Sequence, residues 1–104
     1  MVIVQGVFRL DPDKRDLYLA QSVETMKRSR SESGCLEYVV AADPLESDRV
    51  VLSERWESME ALNDHIANLT RRRQEATGRA ESEGVAPSSS EVTVYEVASA
   101  RKLV

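Results

Sequence analysis

The sequence predicts a ferredoxin-like α+β fold, a β-α-β-β-α-β chain with a four-stranded antiparallel sheet. Three observations predict it. Four segments carry apolar residues at strand spacing, and two segments between them repeat apolar residues at helical spacing. The link between the two middle strands is short enough for a hairpin. Right-handed crossovers then place both helices on one face of the sheet. At 104 residues the chain fits one domain, 1–104, because two separate cores would each be too small.

The first strand spans residues 2–10. Val2, Val4, Phe8 and Leu10 share one side, and Ile3, Gln5 and Val7 share the other. Asp11-Pro12-Asp13 ends it, with Asp11 as a helix cap and Pro12 at the first helical position, where a missing N–H costs nothing. The helix runs to about Arg30, with a buried stripe of Leu19, Val23 and Met26 flanked by Leu17 and Ala20. Ser33-Gly34 stops it, Gly34 being suited to a left-handed position.

Cys35 to Asp43 is the second strand, with Leu36, Tyr38, Val40 and Ala42 pointing one way. Residues 44–48 form a turn by composition. Arg49 to Glu57 is the third strand, with Val50, Leu52, Glu54 and Trp56 on one side. Ser58 caps the second helix, where Met59, Leu62, Ile66 and Leu69 make one apolar stripe. That helix continues to about Thr77-Gly78. Glu81 to Glu91 reads as a flexible linker, and Val92 to Val97 alternates as the fourth strand.

With helices on one face, the other sheet face is bare, yet it carries Ile3, Val7, Val39 and Val51. An apolar face of that size is an interaction surface, and a second copy packed sheet on sheet is its simplest partner. A homodimer is the expectation.

Composition excludes several classes. Apolar residues make up 41% and charged residues 31%, as in an ordinary globular domain. No apolar run reaches the roughly 18 residues that span a bilayer. Fourteen basic against 18 acidic residues leave a net charge of −4, which gives no electrostatic case for nucleic acid. Arg71-Arg72-Arg73, the one basic cluster, reads as a solvated helix face or part of a subunit contact rather than a phosphate site. With one cysteine and no export-type leader, the expected setting is a reducing cytoplasm.

Few residues remain to carry chemistry. Cys35 has one possible catalytic partner, the single histidine His65, and reads as a small buried hydrophobe. There is no G-x-S-x-G turn and no phosphate-cradling glycine loop. One histidine among carboxylates makes a poor metal site. What is left is Glu54-Arg55-Trp56-Glu57-Ser58 followed by Ala61-Leu62-Asn63-Asp64-His65.

These stretches, with Gly34-Cys35-Leu36-Glu37-Tyr38 before them, resemble the antibiotic biosynthesis monooxygenase domain family. Its members read Gly-Cys-x-x-Tyr at the second strand and Glu-x-Trp-x-Ser at the end of the third, with histidine nine residues after the tryptophan. The resemblance implies a dimeric α/β barrel with a pocket between sheet and helices. It also implies cofactor-independent oxidation of a small aromatic phenol or quinol with dioxygen. A deprotonated electron-rich ring can itself reduce dioxygen, so the protein need only bind, deprotonate and orient it.

Carried over residue by residue, Trp56 stacks on a planar substrate and His65 accepts its proton, with Tyr38, Glu54, Gln5, Leu52 and Leu62 as pocket contacts. The chain departs from the family in places. Leu52 stands where cofactor-free oxygenases have asparagine, Leu62 where they have tyrosine, and Thr70 where the quinol-oxygenase-like branch often has a second histidine. The axial histidine of haem-degrading relatives falls near Glu75, and their first-strand asparagine falls at Gln5-Gly6, so neither is matched. Each residue also has a structural reading. His65 is a buried histidine with a satisfied hydrogen bond, Trp56 and Tyr38 are core residues, and Glu54 pairs with Arg55 or Arg72. Gln5 could reach either side of the sheet. The alternative function is a non-catalytic dimeric module that binds or senses a small hydrophobic ligand.

Overall fold

The computed structural model describes residues 1–77 and 84–104. Strand β1 (Val2–Arg9) is followed by a single 3-10 turn (Pro12–Lys14) and helix α1 (Arg15–Ser31). Strands β2 (Cys35–Ala42) and β3 (Arg49–Trp56) form the hairpin, and helix α2 (Met59–Thr77) leads to β4 (Ser89–Glu96). The sheet order is β2-β3-β1-β4 with every neighbour antiparallel, the ferredoxin-like arrangement that the element order demands. Among the described residues, no helix is long and apolar enough to cross a membrane.

Register fixes which side chains share the helix-side face. Tyr38, Glu54, Val4 and Val94 form one row across the sheet, and Val40, Leu52, Gly6 and Val92 form the next. Trp56 lies beside Cys35 and Val2 at the sheet's end. A register shift between Cys35 and Glu37 turns Leu36 out to solvent, so it leaves the row the alternation gave it. The core is Val2, Val4, Tyr38, Leu52, Trp56 and Leu62, with Phe8, Met26, Cys35, Val40 and Ala61 packed against it.

The end signals work as the sequence implies. Asp11 accepts the Asp13 N–H at 2.9 Å, and Ser58 accepts the Ala61 N–H at 3.1 Å. Pro12 opens a 3-10 turn rather than α1 itself, which starts three residues later. Gly34 has φ +83°, and its carbonyl accepts the Glu57 N–H at 2.8 Å, tying the start of β2 to the end of β3. A Cβ at Gly34 would lie 2.6 Å from the Ala61 Cβ. Gly34→Ala therefore combines left-handed strain with a clash against α2. It is expected to lower the unfolding free energy by about 2–4 kcal/mol, read from the urea midpoint.

Three expectations are corrected. In α1 the stripe is rotated: Leu17, Ala20 and Val23 are exposed, while Ser29 is fully buried and Tyr18, Ser22 and Thr25 turn toward the sheet. Polar residues can face inward there because part of that interface is hollow, as described below. In α2, Met59 and Ile66 are exposed, and His65 takes the inward place between Leu62 and Leu69. Strand β4 begins at Ser89, not Val92. Ser88 donates from its N–H and its hydroxyl to the Arg9 carbonyl, at 2.8 and 3.0 Å, and Ser89 pairs with Arg9. The ladder is templated by β1 rather than by apolar alternation, so polar residues 89–91 belong to it. The linker shortens accordingly, and its first three residues, with Gly78, lie outside the described ones.

Candidate functional site

Glu54 is the chemical centre of the helix-side face. It sits mid-strand on β3, only 5% exposed, in a position the alternation reserves for an apolar residue. Its Oε1 accepts the Trp56 indole N–H at 2.9 Å. The His65 Nε2 lies 3.7 Å from the same oxygen. On its other side, the His65 Nδ1 is 2.9 Å from Glu32 Oε2, and Glu32 Oε1 accepts from the Arg72 guanidinium at 3.0 Å. An ionised Glu32 can only accept, so Nδ1–H donates to it and Nε2 faces Glu54. The chain of groups is Glu54, His65, Glu32, Arg72. It runs from the sheet through α2 to the end of α1.

Two carboxyl groups and one guanidinium flank the imidazole in this chain of groups. Burial raises the Glu54 carboxyl above its ordinary range. The indole N–H and His65 oppose the rise, and the Glu32 charge adds to it. The Tyr38 hydroxyl is pushed up to about 12, by burial first and then by the Glu54 charge. It therefore stays protonated at neutral pH and is available as a hydrogen-bond donor. The Cys35 thiol is also raised, by burial, Glu32 and Glu54, which keeps it from acting as a thiolate and fits its place against the core.

Glu54 and Tyr38 open onto a cavity of about 650 Å³ between the sheet and the helices. Phe8, Val40, Leu52 and Val92 form its apolar floor, from all four strands. Tyr18, Gln21, Ser22 and Thr25 of α1 face it with Leu69 of α2, and Arg28, Arg72 and Arg73 supply cations. Gly6 lies in the same row between Leu52 and Val92, where a Cβ would meet Val92 Cγ2 at 2.9 Å. This volume suits a small ligand.

Of the residues singled out from sequence, Tyr38, Glu54 and Leu52 line this cavity. Trp56 and His65 do not. They are 0% and 2% exposed and pack on each other with ring centroids 4.6 Å apart. The sequence put both rings against a guest; the structure puts them behind Glu54, off the cavity's lining. Leu62, 2% exposed, is core beneath α2. Gln5 pairs with Ser53 and Thr93 and lies on the helix-free face, where strand alternation puts it. There it lines a separate hollow of about 500 Å³ with Val7, Val51 and Tyr95. Glu54 pairs with neither arginine offered for it; Arg55 bonds Glu37 and Arg72 bonds Glu32.

The basic cluster is exposed at Arg71 and Arg73, as a solvated helix face is, and half-buried at Arg72. Both Arg72 and Arg73 line the cavity, on the side of α2 that carries His65 and Leu69. Sequence reasoning missed Glu32, and one signal could have found it. It caps the C-terminal end of α1, where the helix dipole disfavours an acid. Among the described residues, no group of three or more His, Cys, Asp or Glu side chains could hold a metal ion.

The fold and the hollow define a ferredoxin-like domain with a ligand-sized space between sheet and helices. The chain belongs to the antibiotic biosynthesis monooxygenase family, whose model matches residues 1–73. An uncharacterized protein of Synechocystis is 32% identical over 65 residues, 62% of this chain, but the match spans only 44% of that relative's length. "Putative monooxygenase YcnE" of Bacillus subtilis is 26% identical over 65 residues, 62% of this chain and 68% of its own. The crystal structure of a "putative antibiotic biosynthesis monooxygenase" from Deinococcus radiodurans has the same fold. It superposes with a TM-score of 0.79 at 22% identity, covering 100% of this chain and 99% of that one.

Proposed function

We propose that this chain is a cofactor-independent monooxygenase that oxidises a small phenol or quinol with dioxygen as co-substrate. The observation that carries the reading is Glu54: a buried, basic carboxylate on the wall of a ligand-sized cavity, with an aromatic hydroxyl beside it in the same row. Glu54 accepts the phenolic proton of a quinol lying on the Leu52–Val92 floor. Tyr38 donates to the oxyanion that forms, which holds the ring oriented. His65 is a positioning residue. Its Nε2 faces Glu54 so that the proton passes inward, and Glu32 with Arg72 stabilises the imidazolium that results.

The electron balance needs no further reductant. The quinolate gives electrons to dioxygen, and a ring carbon–oxygen bond forms as a hydroperoxide. Its O–O bond then breaks as the ring C–H proton is removed, and the leaving hydroxide takes up a proton and departs as water. A hydroquinone and dioxygen thus become a hydroxyquinone and water, with all four electrons drawn from the quinol. Oxygen uptake by metal-stripped protein supplied with hydroquinones tests this. Uptake that Glu54→Gln abolishes is expected, and no uptake above the uncatalysed rate sinks the reading. The apolar Leu52 and Leu62, in place of the family's polar pair, favour a second reading, a module that binds or senses a small hydrophobic ligand. Saturable binding without oxygen consumption distinguishes it.

The reading includes a homodimer in a reducing cytoplasm. Ile3, Val7, Val39 and Val51 with the half-exposed Tyr95 lie on the face that no helix covers. A second copy would cover them. Sedimentation equilibrium at micromolar concentration is expected to give twice the 11.6 kDa chain mass, and Val51→Lys, mid-face, is expected to give the monomer. A wild-type monomer overturns it.

A further inference from the structure

The inward face of α1 carries a hydroxyl at every turn. Tyr18, Ser22 and Thr25 line the cavity, and Ser29, next at the same spacing, is 0% exposed. A serine inside a helix ordinarily satisfies itself by donating to a carbonyl one turn back. Ser22 does so to Tyr18 at 2.8 Å, and Ser31 does so to Arg28 at 2.7 Å. The Ser29 hydroxyl does not, and among the described residues it has no hydrogen-bond partner. A buried hydroxyl left so costs stability that alanine would not. Bonds on both sides of Ser29 clamp α1 to β2. The Val40 N–H donates to the Met26 Sδ at 3.4 Å, and the Arg30 Nε donates to the Tyr38 carbonyl at 2.8 Å. The Tyr38 hydroxyl feels Ser29, which opposes the rise that burial imposes on it, yet the two do not meet at hydrogen-bonding geometry.

We propose that Ser29 is a positioning residue for Tyr38: its hydroxyl donates to the Tyr38 oxygen when a phenolate lies in the cavity, which keeps the Tyr38 proton directed at the guest. This rests on the role proposed above for Tyr38 as donor to the oxyanion. A phenolic oxygen can accept while its proton is being donated. Once Tyr38 gives its hydrogen bond to the oxyanion, its own oxygen becomes the better acceptor, and Ser29 is the donor held against it. The order is Ser29 to Tyr38 to guest, each bond polarising the next. Ser29 is not among the residues that line the cavity and carries no charge, so it acts on a guest only through Tyr38.

The test is binding of 4-nitrophenol, whose ionised form is read from its visible absorbance and which has no second hydroxyl to be oxidised. At one fixed neutral pH, Ser29→Ala is expected to lower the ionised-to-neutral ratio of the bound probe about threefold to tenfold, the worth of one hydrogen bond. Tyr38→Phe is expected to lower it at least as far. The double variant should fall no further than Tyr38→Phe alone, because Ser29 has no other route to the guest. Ser29→Ala is also expected to melt no lower than the wild type, since it removes a hydroxyl without a partner. An unchanged ratio in Ser29→Ala, losses that add in the double variant, a lowered melting temperature, or no binding of the probe by the wild type overturns the proposal. Oxygen uptake with hydroquinones separates the two ideas. The expected ratios without any uptake reject the oxygenase reading and keep the Ser29–Tyr38 relay. Uptake with a ratio that Ser29→Ala leaves unchanged does the reverse.

Discussion

Glu54→Gln is expected to cut oxygen uptake by about a hundred- to ten-thousand-fold, the usual worth of a positioned general base. The amide can still accept the Trp56 indole N–H, so the wall of the cavity keeps its shape. The same variant is expected to be more stable than the wild type at neutral and alkaline pH. Burial raises the Glu54 carboxyl in the folded chain. A raised carboxyl contributes stability below its unfolded value, about 4.3, and that contribution is lost as pH rises through the folded value. Glutamine carries no such loss. The gap in melting temperature between variant and wild type should therefore widen from acid to alkaline pH, and calorimetric scans across that range measure it. Lower stability at every pH would show that Glu54 is a structural acceptor and not a base held at a cost. A gain in stability paired with a loss of activity is what a strained functional group produces.

The fold was legible because periodicity and punctuation agreed. Asp11, Gly34 and Ser58 mark ends that depend on local hydrogen bonds and one left-handed residue, and local features survive folding unchanged. The helix stripes were not legible in the same way. Spacing selected Met59, Ile66, Leu17 and Val23 because they are apolar, but exposure shows the inward faces carrying His65, Arg72, Ser22 and Thr25 instead. A cavity reverses the rule that apolar residues point inward, and only tertiary placement reveals the cavity. The candidate site was legible in part. Tyr38 and Glu54 share a row because strands pair in register, which spacing anticipates. Glu32 and Arg72 meet across 40 residues of chain, and nothing in their own neighbourhoods encodes that meeting. His65 and Trp56 were found by resemblance, which gives membership in the site without saying which groups touch the guest.

Trp56 separates support from contact. Trp56→Ala is expected to cost about 3–5 kcal/mol, because the ring is fully buried and its neighbours cannot close the void. Against the 5–15 kcal/mol typical of a domain that is a large share, so the variant will be marginal at best, and a chemical denaturation curve will show it. Trp56→Phe is the sharper probe. It keeps most of the packing against His65, Val2 and Cys35 but removes the N–H that Glu54 accepts. That bond holds the Glu54 carboxyl down against the pull of burial. Without it the carboxyl rises further, and the acid limb of the rate profile should move to higher pH while KM stays nearly unchanged. The stability loss should be about 1–3 kcal/mol, that of a charged acceptor left short of a donor. A ring that touched substrate would give the opposite pattern, with KM raised and the pH profile in place. In that case the indole would have to swing into the cavity on binding, and Glu54 would lose its partner at the moment it is asked to take a proton.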